Sequence, residues 1–579
     1  MTTATPEGRR AHRWTPVLLP CLLPLAVAAQ QTVPNQPSAG SLLQQAQPQG
    51  VPAPALGKPP AELVLPRAVT APSSGGPSIE VKAFRIAGLD LLTPDRRAAL
   101  LPMLQKYTGP RKTLVDLEDA AKDVEVALQR QGYFLAQAYV PEQQLVDGMV
   151  TLQVLIGRIG AVQIEAEPGV KVSAELMDKI VARLRGNPVA ERELIESALF
   201  TLGDLRGIAV TSSLTPGEKV GQADLTIKVS AAKGSAYSLE FDNGGSVFTG
   251  RYRLFANGEW FNLAGRGDVF SIRGQASLNG GSAFVRAAWL TPVNAYGTKV
   301  GVAASFLKYK LGDSLEALDA HGTAQALSLQ FLHPQVRSRN TNLFLTASAD
   351  VRKFDDTVST YPLVIKKGVT SYVTLGAVGD FRDTIFGGGI SNYSLTLVGG
   401  KLDIDTPSEL DLDQGDGGFK TNGGYAKLGF TASRLQVLPN KDYLYFSLSG
   451  QYASKNLDSS EKFSLGGPSG VRAYPAPESP SDHGLIGGWE YRKPLAIEAL
   501  PGDWVLAVFG DYAYGQLHQE PRVGDSSRNI RKLMGHGIGL TYGGANGLIV
   551  KGYLAVRGDA VAQSDDARTR AYVQLSQPF

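Results

Sequence analysis

The chain has 579 residues, enough for more than one domain. Only 19% are charged and 65 are Gly, with a mean hydropathy of −0.08, which excludes a bundle of membrane-spanning helices. The net charge of +3 falls to +1 if residues 1–28, with three Arg and one Glu, are removed, so charge points to no polyanion and no nucleic-acid partner.

The one strongly apolar stretch, residues 16–29, is too short to span a bilayer comfortably. It follows Arg9, Arg10 and Arg13 and ends in Ala26-Val27-Ala28, so residues 1–28 are expected to be a cleaved secretory leader. The lone cysteine, Cys21, lies inside that stretch after Pro20, where a lipoprotein would need a small residue. The mature chain is therefore expected to carry no thiol, disulfide or cysteine-bound metal. Residues 29–78 have the Pro-, Gln-, Ala- and Ser-rich composition of a linker. Within them Ser41-Leu42-Leu43-Gln44-Gln45-Ala46-Gln47 reads equally as a short docking helix or as more linker.

Two units with one order of elements follow, at 79–157 and 158–232. The first reads as a strand over 79–87 and a helix over 94–107 with Pro94 in its first turn. A second helix starts at the N-cap Thr113, with Asp116 three residues on and an apolar face of Leu114, Leu117, Ala121, Val124 and Leu128. Gly132 ends it, and strands over 133–140 and 149–156 meet across Asp147-Gly148. The second unit repeats this with a strand at 161–166, helices at 173–184 and 190–203, and strands at 208–214 and 223–229. Each is a small α+β sandwich, large enough to fold but not to house a deep active site.

From residue 233 to Phe579 the chain alternates. Leu444, Phe446 and Leu448 alternate with Tyr445, Ser447 and Ser449, and Phe270, Ile272 and Ala276 with Ser271, Arg273 and Gln275. Successive strand residues face opposite sides, so each segment has one oily and one wet face. Hundreds of such residues cannot share a conventional core, but they can form a cylinder with lipid outside and water inside. Sixteen strands are expected, starting near residues 237, 251, 268, 283, 299, 324, 342, 371, 391, 424, 443, 484, 504, 537, 548 and 570. The long inserts, at 313–322, 354–370, 401–423, 454–483 and 516–532, all follow odd-numbered strands, as external loops of a barrel entered from the periplasm should.

The longest insert contains Phe463-Ser464-Leu465-Gly466-Gly467-Pro468-Ser469-Gly470-Val471-Arg472-Ala473-Tyr474. It resembles the Val-Arg-Gly-Tyr/Phe motif in the sixth extracellular loop of the BamA–TpsB superfamily of outer-membrane barrels. Phe509-Gly510-Asp511 resembles that superfamily's Phe-x-Asp barrel motif. The resemblance implies that the loop folds back into the lumen with Val471, Arg472, Ala473 and Tyr474, and that Arg472 pairs with Asp511 beside Phe509 on the barrel wall. Two repeats before sixteen strands narrow it to TpsB transporters of two-partner secretion, in the haemolysin secretion/activation family, and the repeats to POTRA domains. Gly132-Tyr133, Ala138-Tyr139-Val140-Pro141, Gly148, Val150, Asn243-Gly244 and Gly267-Asp268 fit the same pattern, and residues 41–47 resemble the family's plug helix. Ala473 and Ala513 depart from it, standing where Gly is usual; at 473, Gly would permit turns that Ala resists.

The resemblance implies a Gram-negative outer membrane, periplasmic repeats, contact with outer-membrane lipid, a monomeric barrel, and an unfolded TpsA-like secreted partner such as an adhesin, haemolysin or contact-dependent toxin. The rivals are a barrel-assembly factor of the same superfamily, which usually carries more repeats, and a passive porin or adhesin, which leaves the repeats and the loop motif unexplained. No nucleophile elbow, HExxH motif or phosphate loop is present, and the six His are scattered, so no catalytic residue, metal or cofactor is expected.

Overall fold

The computed structural model describes residues 37–47, 78–185, 189–360, 364–498, 500–522, 529–565 and 567–579. The expected leader and most of the expected linker lie outside these residues.

In the first unit the strand expected over 79–87 breaks at Lys82. Ile79–Val81 pairs with Gly109–Lys112, a strand unmarked in the sequence, and Ala83–Ala87 runs parallel to Met149–Leu155, which also pairs with Gln137–Tyr139. The helix expected over 94–107 is two pieces, Pro94–Ala98 and a 3-10 turn, Pro102–Tyr107. The second proline removes a donor and clashes with the preceding turn. Helix Leu114–Arg130 starts with a reciprocal cap, the Thr113 N–H donating to Asp116 Oδ2 at 2.7 Å. The Thr113 backbone and hydroxyl bonds hold the Asp116 carboxyl below its ordinary range. Leu117, Ala120, Ala121, Val124 and Leu128 are buried, whereas Leu114, at the first helical position, stays exposed because the packed stripe begins a turn later.

The second unit pairs Arg158–Ala166 in parallel and Ile208–Pro216 antiparallel with a central Gln222–Ala231, under helices Ala174–Arg185 and Arg192–Gly203. Phe134 of the first unit is buried in the core of the second, and Val189 in the core of the first, so the two share an apolar seam.

Sixteen antiparallel strands, from Ser235–Asp242 to Thr569–Pro578, close into a barrel. Closure runs from Gln574↔Asp242 to Pro578↔Ser238, and the Phe579 N–H donates to the Tyr237 carbonyl at 2.9 Å. Alternation places Val300, Val302 and Phe306 on the exposed outer face, with Ala303, Leu307 and Tyr309 buried inside. The insert expected over 354–370 is mostly strand: Thr341–Val358 and Val364–Asp383 stay paired up to Val358↔Val364. The 20 residues of Val364–Asp383 exceed the roughly 9–11 needed to cross a bilayer, so this hairpin projects beyond it. Its Lys and Asp residues read as a loop because only the backbone ladder, invisible to composition, continues there.

The second unit docks on the barrel's rim. Arg337, on strand Ala320–Arg337, holds Asp204 through two bonds of 2.8 and 2.9 Å and donates to Asn342 at 2.7 Å, with its guanidinium 4.8 Å from the Phe200 ring centre. Lys299 donates to the Asp204 carbonyl at 3.1 Å. Arg337→Ala would leave Asp204 without its main partner, at a cost of about 3 kcal/mol to docking. The expected result is faster protease cleavage at residues 232–234, with the barrel's heat-modifiable gel migration unchanged.

Candidate functional site in the lumen

The insert at 454–482 turns back into the barrel as a hairpin. The Phe463 N–H donates to the Ser481 carbonyl at 2.8 Å and is reciprocated at 2.9 Å, and the Leu465 N–H donates to the Glu478 carbonyl at 2.9 Å. The Val471 N–H then donates to the Leu465 carbonyl at 2.9 Å, forming a tight bend whose tip presents residues 471–474 to the wall. A buried hairpin must find partners for its backbone, and these internal bonds are joined by bonds to the wall, such as that from the Asp482 N–H to the Gln516 carbonyl at 3.0 Å.

Arg472 is the most heavily bonded residue of the tip. Its Nη2 and Nε donate to Asp511 at 2.7 and 2.9 Å, its backbone N–H donates to the same carboxylate at 3.0 Å, and Nη1 donates to Glu490 at 2.5 Å. The guanidinium lies 3.5 Å from the centre of the Phe509 ring and 5.1 Å from that of Tyr553. Asp511 and Phe509 share strand Asp503–Gln516 two positions apart, so both face inward, and Glu490 faces them from the adjacent strand His483–Leu495. The planar fork grips one carboxylate with two N–H groups, reaches a second with the third, and stacks on an aromatic face, a combination Lys cannot supply.

Around it Val471, Ala473 and Tyr474 pack with Phe509, Ala513, Leu533 and Ala555. Tyr474 donates to the Ala560 carbonyl at 2.9 Å and accepts from Tyr572 at its own carbonyl at 2.8 Å. Ala473 has no positive φ, so its turn does not need the Gly usual there. Its methyl instead fills space left by the wall glycine Gly535, where an added Cβ would lie 2.5 Å from that of Ala473.

Sequence reasoning missed Glu490, Tyr553 and most of the hairpin's other anchors. Asp458 pairs with Lys366 at 2.5 Å; Glu461 pairs with Arg352 at 3.1 Å and Lys427 at 2.7 Å; Glu478 pairs with Arg531 at 3.2 Å. Three loop carboxylates thus meet four wall cations spread from strand Thr341–Val358 to strand Ile530–Gly543. Inward parity marks each cation as lumenal, but which loop acid reaches it is decided by the loop's path.

Helix Ala39–Ala46 lies beside the hairpin. Ala39, Leu42, Leu43 and Ala46 pack against the inward-facing Phe284, Leu307, Tyr309, Ala324 and Phe354. Its first N–H, of Ala39, donates to Asp356 at 2.7 Å, a carboxylate at the positive end of the helix. The Ser38 and Ser459 hydroxyls lie 2.8 Å apart, and a Cβ on Gly40 would lie 2.5 Å from that of Ser460, so helix and hairpin are in close contact. Between them and the wall a cavity of about 760 Å³ is left, whose lining includes the polar residues Gln44, Gln45, Arg286, Ser328, Asp350 and Ser469.

The sequence model of a family described as haemolysin secretion/activation protein ShlB/FhaC/HecB matches residues 221–542, and that of the ShlB-type POTRA domain matches 79–157. The chain is 28% identical over 452 residues to the heme/hemopexin transporter protein HuxB of Haemophilus influenzae (strain 86-028NP), covering 77% of this chain and 78% of that protein. It is 23% identical over 478 residues to the outer membrane transporter CdiB of Escherichia coli O6:K15:H31 (strain 536 / UPEC), covering 78% and 77%. Among solved structures, CdiB from Escherichia coli shares the fold with a TM-score of 0.67 at 20% identity, over 90% of this chain and 94% of that one.

Gly535→Ala should overpack the seat of Ala473 and destabilise the docked hairpin by about 1–3 kcal/mol. The barrel's heat-modifiability transition is expected to fall in Gly535→Ala and to recover when Ala473→Gly is added.

Proposed function

The chain belongs to the haemolysin secretion/activation protein family, ShlB/FhaC/HecB, and from that premise we propose how this outer-membrane transporter works on its secreted partner. It is a TpsB-type translocase that exports a partner protein through the outer membrane from its periplasmic POTRA end. The partner is read as an unfolded adhesin, haemolysin or contact-dependent toxin. The barrel acts as a monomer in lipid, residues 158–232 form the second POTRA domain, and 233–579 form the translocating unit.

The observation that carries the mechanism is Arg472 holding Asp511 and Glu490 at once from the tip of a removable loop. A lumen wide enough for a polypeptide leaks unless filled. The hairpin and helix Ala39–Ala46 fill it at rest, and Val471–Tyr474 act as the catch on the wall residues Phe509 and Asp511. A buried ion pair suits a catch because its net stability is modest: attraction and desolvation nearly cancel. The repeats receive the client as an added strand at an exposed sheet edge, through backbone bonds that make little demand on its sequence. Folding of the client outside supplies direction, and the transporter performs no covalent chemistry.

Arg472→Ala should raise the ion conductance of the reconstituted barrel several-fold, and unchanged conductance would rule out the hairpin as the barrier. A Ser38→Cys/Ser459→Cys pair, at an Oγ separation of 2.8 Å, should form a disulfide that ties helix to hairpin. Secretion of the TpsA-like partner is expected to stop in that variant and to resume on reduction. Export that continues with the bridge formed would mean that helix and hairpin need not separate.

A further inference from the structure

Three wall arginines share one line of register. Arg273 lies opposite Arg286, Arg286 opposite Ser305, Ser305 opposite Ala326, and Ala326 opposite Arg352. The line crosses five neighbouring strands at right angles. Arg286, Ser305 and Arg352 line the lumenal cavity, while the flanking Ile272, Val285, Phe306, Leu327 and Val351 are exposed on the opposite, outer face. The three guanidiniums therefore form part of a belt on the inner surface.

The belt is electrostatically incomplete. Like charges directly opposite on paired strands repel, so Arg273 against Arg286 costs stability unless an anion relieves it. Among the described residues neither makes an ion pair: Arg273 rests over the Phe255 ring at 5.2 Å, and its Nε has no hydrogen-bond partner. Among the described residues Arg352 makes its side-chain hydrogen bonds to the two removable elements, Nη1 donating to Glu461 of the hairpin at 3.1 Å and Nη2 to Gln47 beside the helix at 3.2 Å, while its guanidinium lies 4.7 Å from the centre of the wall ring of Tyr372. Gln47 also donates to Ser305, on the same line, at 2.8 Å. Withdrawal of hairpin and helix thus takes away Glu461 and leaves three guanidiniums facing water, with the wall carboxylate of Asp350, beside Arg286 and Arg352, as their remaining counter-charge among the described residues.

We propose that this belt is a carboxylate-binding site for the chain in transit, and that Glu461 occupies it at rest in place of the acidic side chains of an unfolded client. Local breaks of the established rules, such as facing like charges, concentrate at functional sites. Contacts of this kind in a wet lumen are weak enough for a moving chain to leave, the condition that conduction sets on any pore. The belt accounts for the like-charge pair and for the loop acid that sits on Arg352; a purely structural row of side chains would require neither. The inference rests on the reading of hairpin and helix as removable barriers.

The test uses the full chain in planar bilayers, opened by Arg472→Ala, under a KCl gradient. The reversal potential is expected to give about a threefold preference for chloride over potassium, as in pores ringed by Arg or Lys. Adding Arg273→Gln, Arg286→Gln and Arg352→Gln should bring the ratio close to one. Heat-modifiable migration of both proteins checks that they are folded. Polyglutamate added to the periplasmic side should block the current for longer than polylysine, and the triple change should remove the difference. An open pore without anion preference, or one whose preference survives the triple change, overturns the belt alone. An Arg472→Ala protein that conducts no more than its parent overturns the gating reading, and the belt with it.

Discussion

Closure of the sheet is the constraint on which everything else in this chain depends. In hydrocarbon an unpaired N–H or C=O cannot be left open, so the last strand must find the first, as Gln574–Pro578 finds Ser238–Asp242. A cylinder of sixteen strands then encloses more space than its own inward side chains fill. The chain supplies the missing mass from two places far apart in sequence, helix Ala39–Ala46 and the hairpin at 454–482.

The filling is polar where a conventional core would be apolar, and that choice has a physical reason. An apolar plug would be more stable and harder to remove, whereas each ion pair here repays much of its attraction in desolvation. Loop acids at 458, 461 and 478 distribute the hold over opposite sides of the wall, and the arginine at 472 closes it at the tip by gripping two wall carboxylates at once. Apolar contacts are made at the tip, where Val471, Ala473 and Tyr474 fit a wall thinned by Gly535, at Leu457 and Leu465 on the hairpin's stem, and along the inner face of the helix.

The periplasmic units are not beads on a string. Phe134 and Val189 exchange places between the two cores, and Arg337 joins the second unit to the barrel rim. A client held at the first unit is thereby kept at a fixed distance from the lumen's entrance, which raises its effective concentration there.

The sequence by itself determined the period-two pattern, the strand count, the two α+β units and the residue types of the motif, because these follow from local alternation, caps and turns. It could not separate residues 354–358 and 364–370 from a loop, since a ladder that leaves the membrane loses its oily face but keeps its backbone bonds. It joined two helical pieces across Pro102 and missed strand Gly109–Lys112, whose pairing with Ile79–Val81 is non-local. Arg472 and Asp511 were legible through a resemblance; Glu490, Tyr553 and the row from Arg273 to Arg352 were not. Those residues meet because of register, which shifts by the stagger of every neighbouring pair around the barrel and is set by closure as a whole. Only the tertiary structure decided which charges share the lumen.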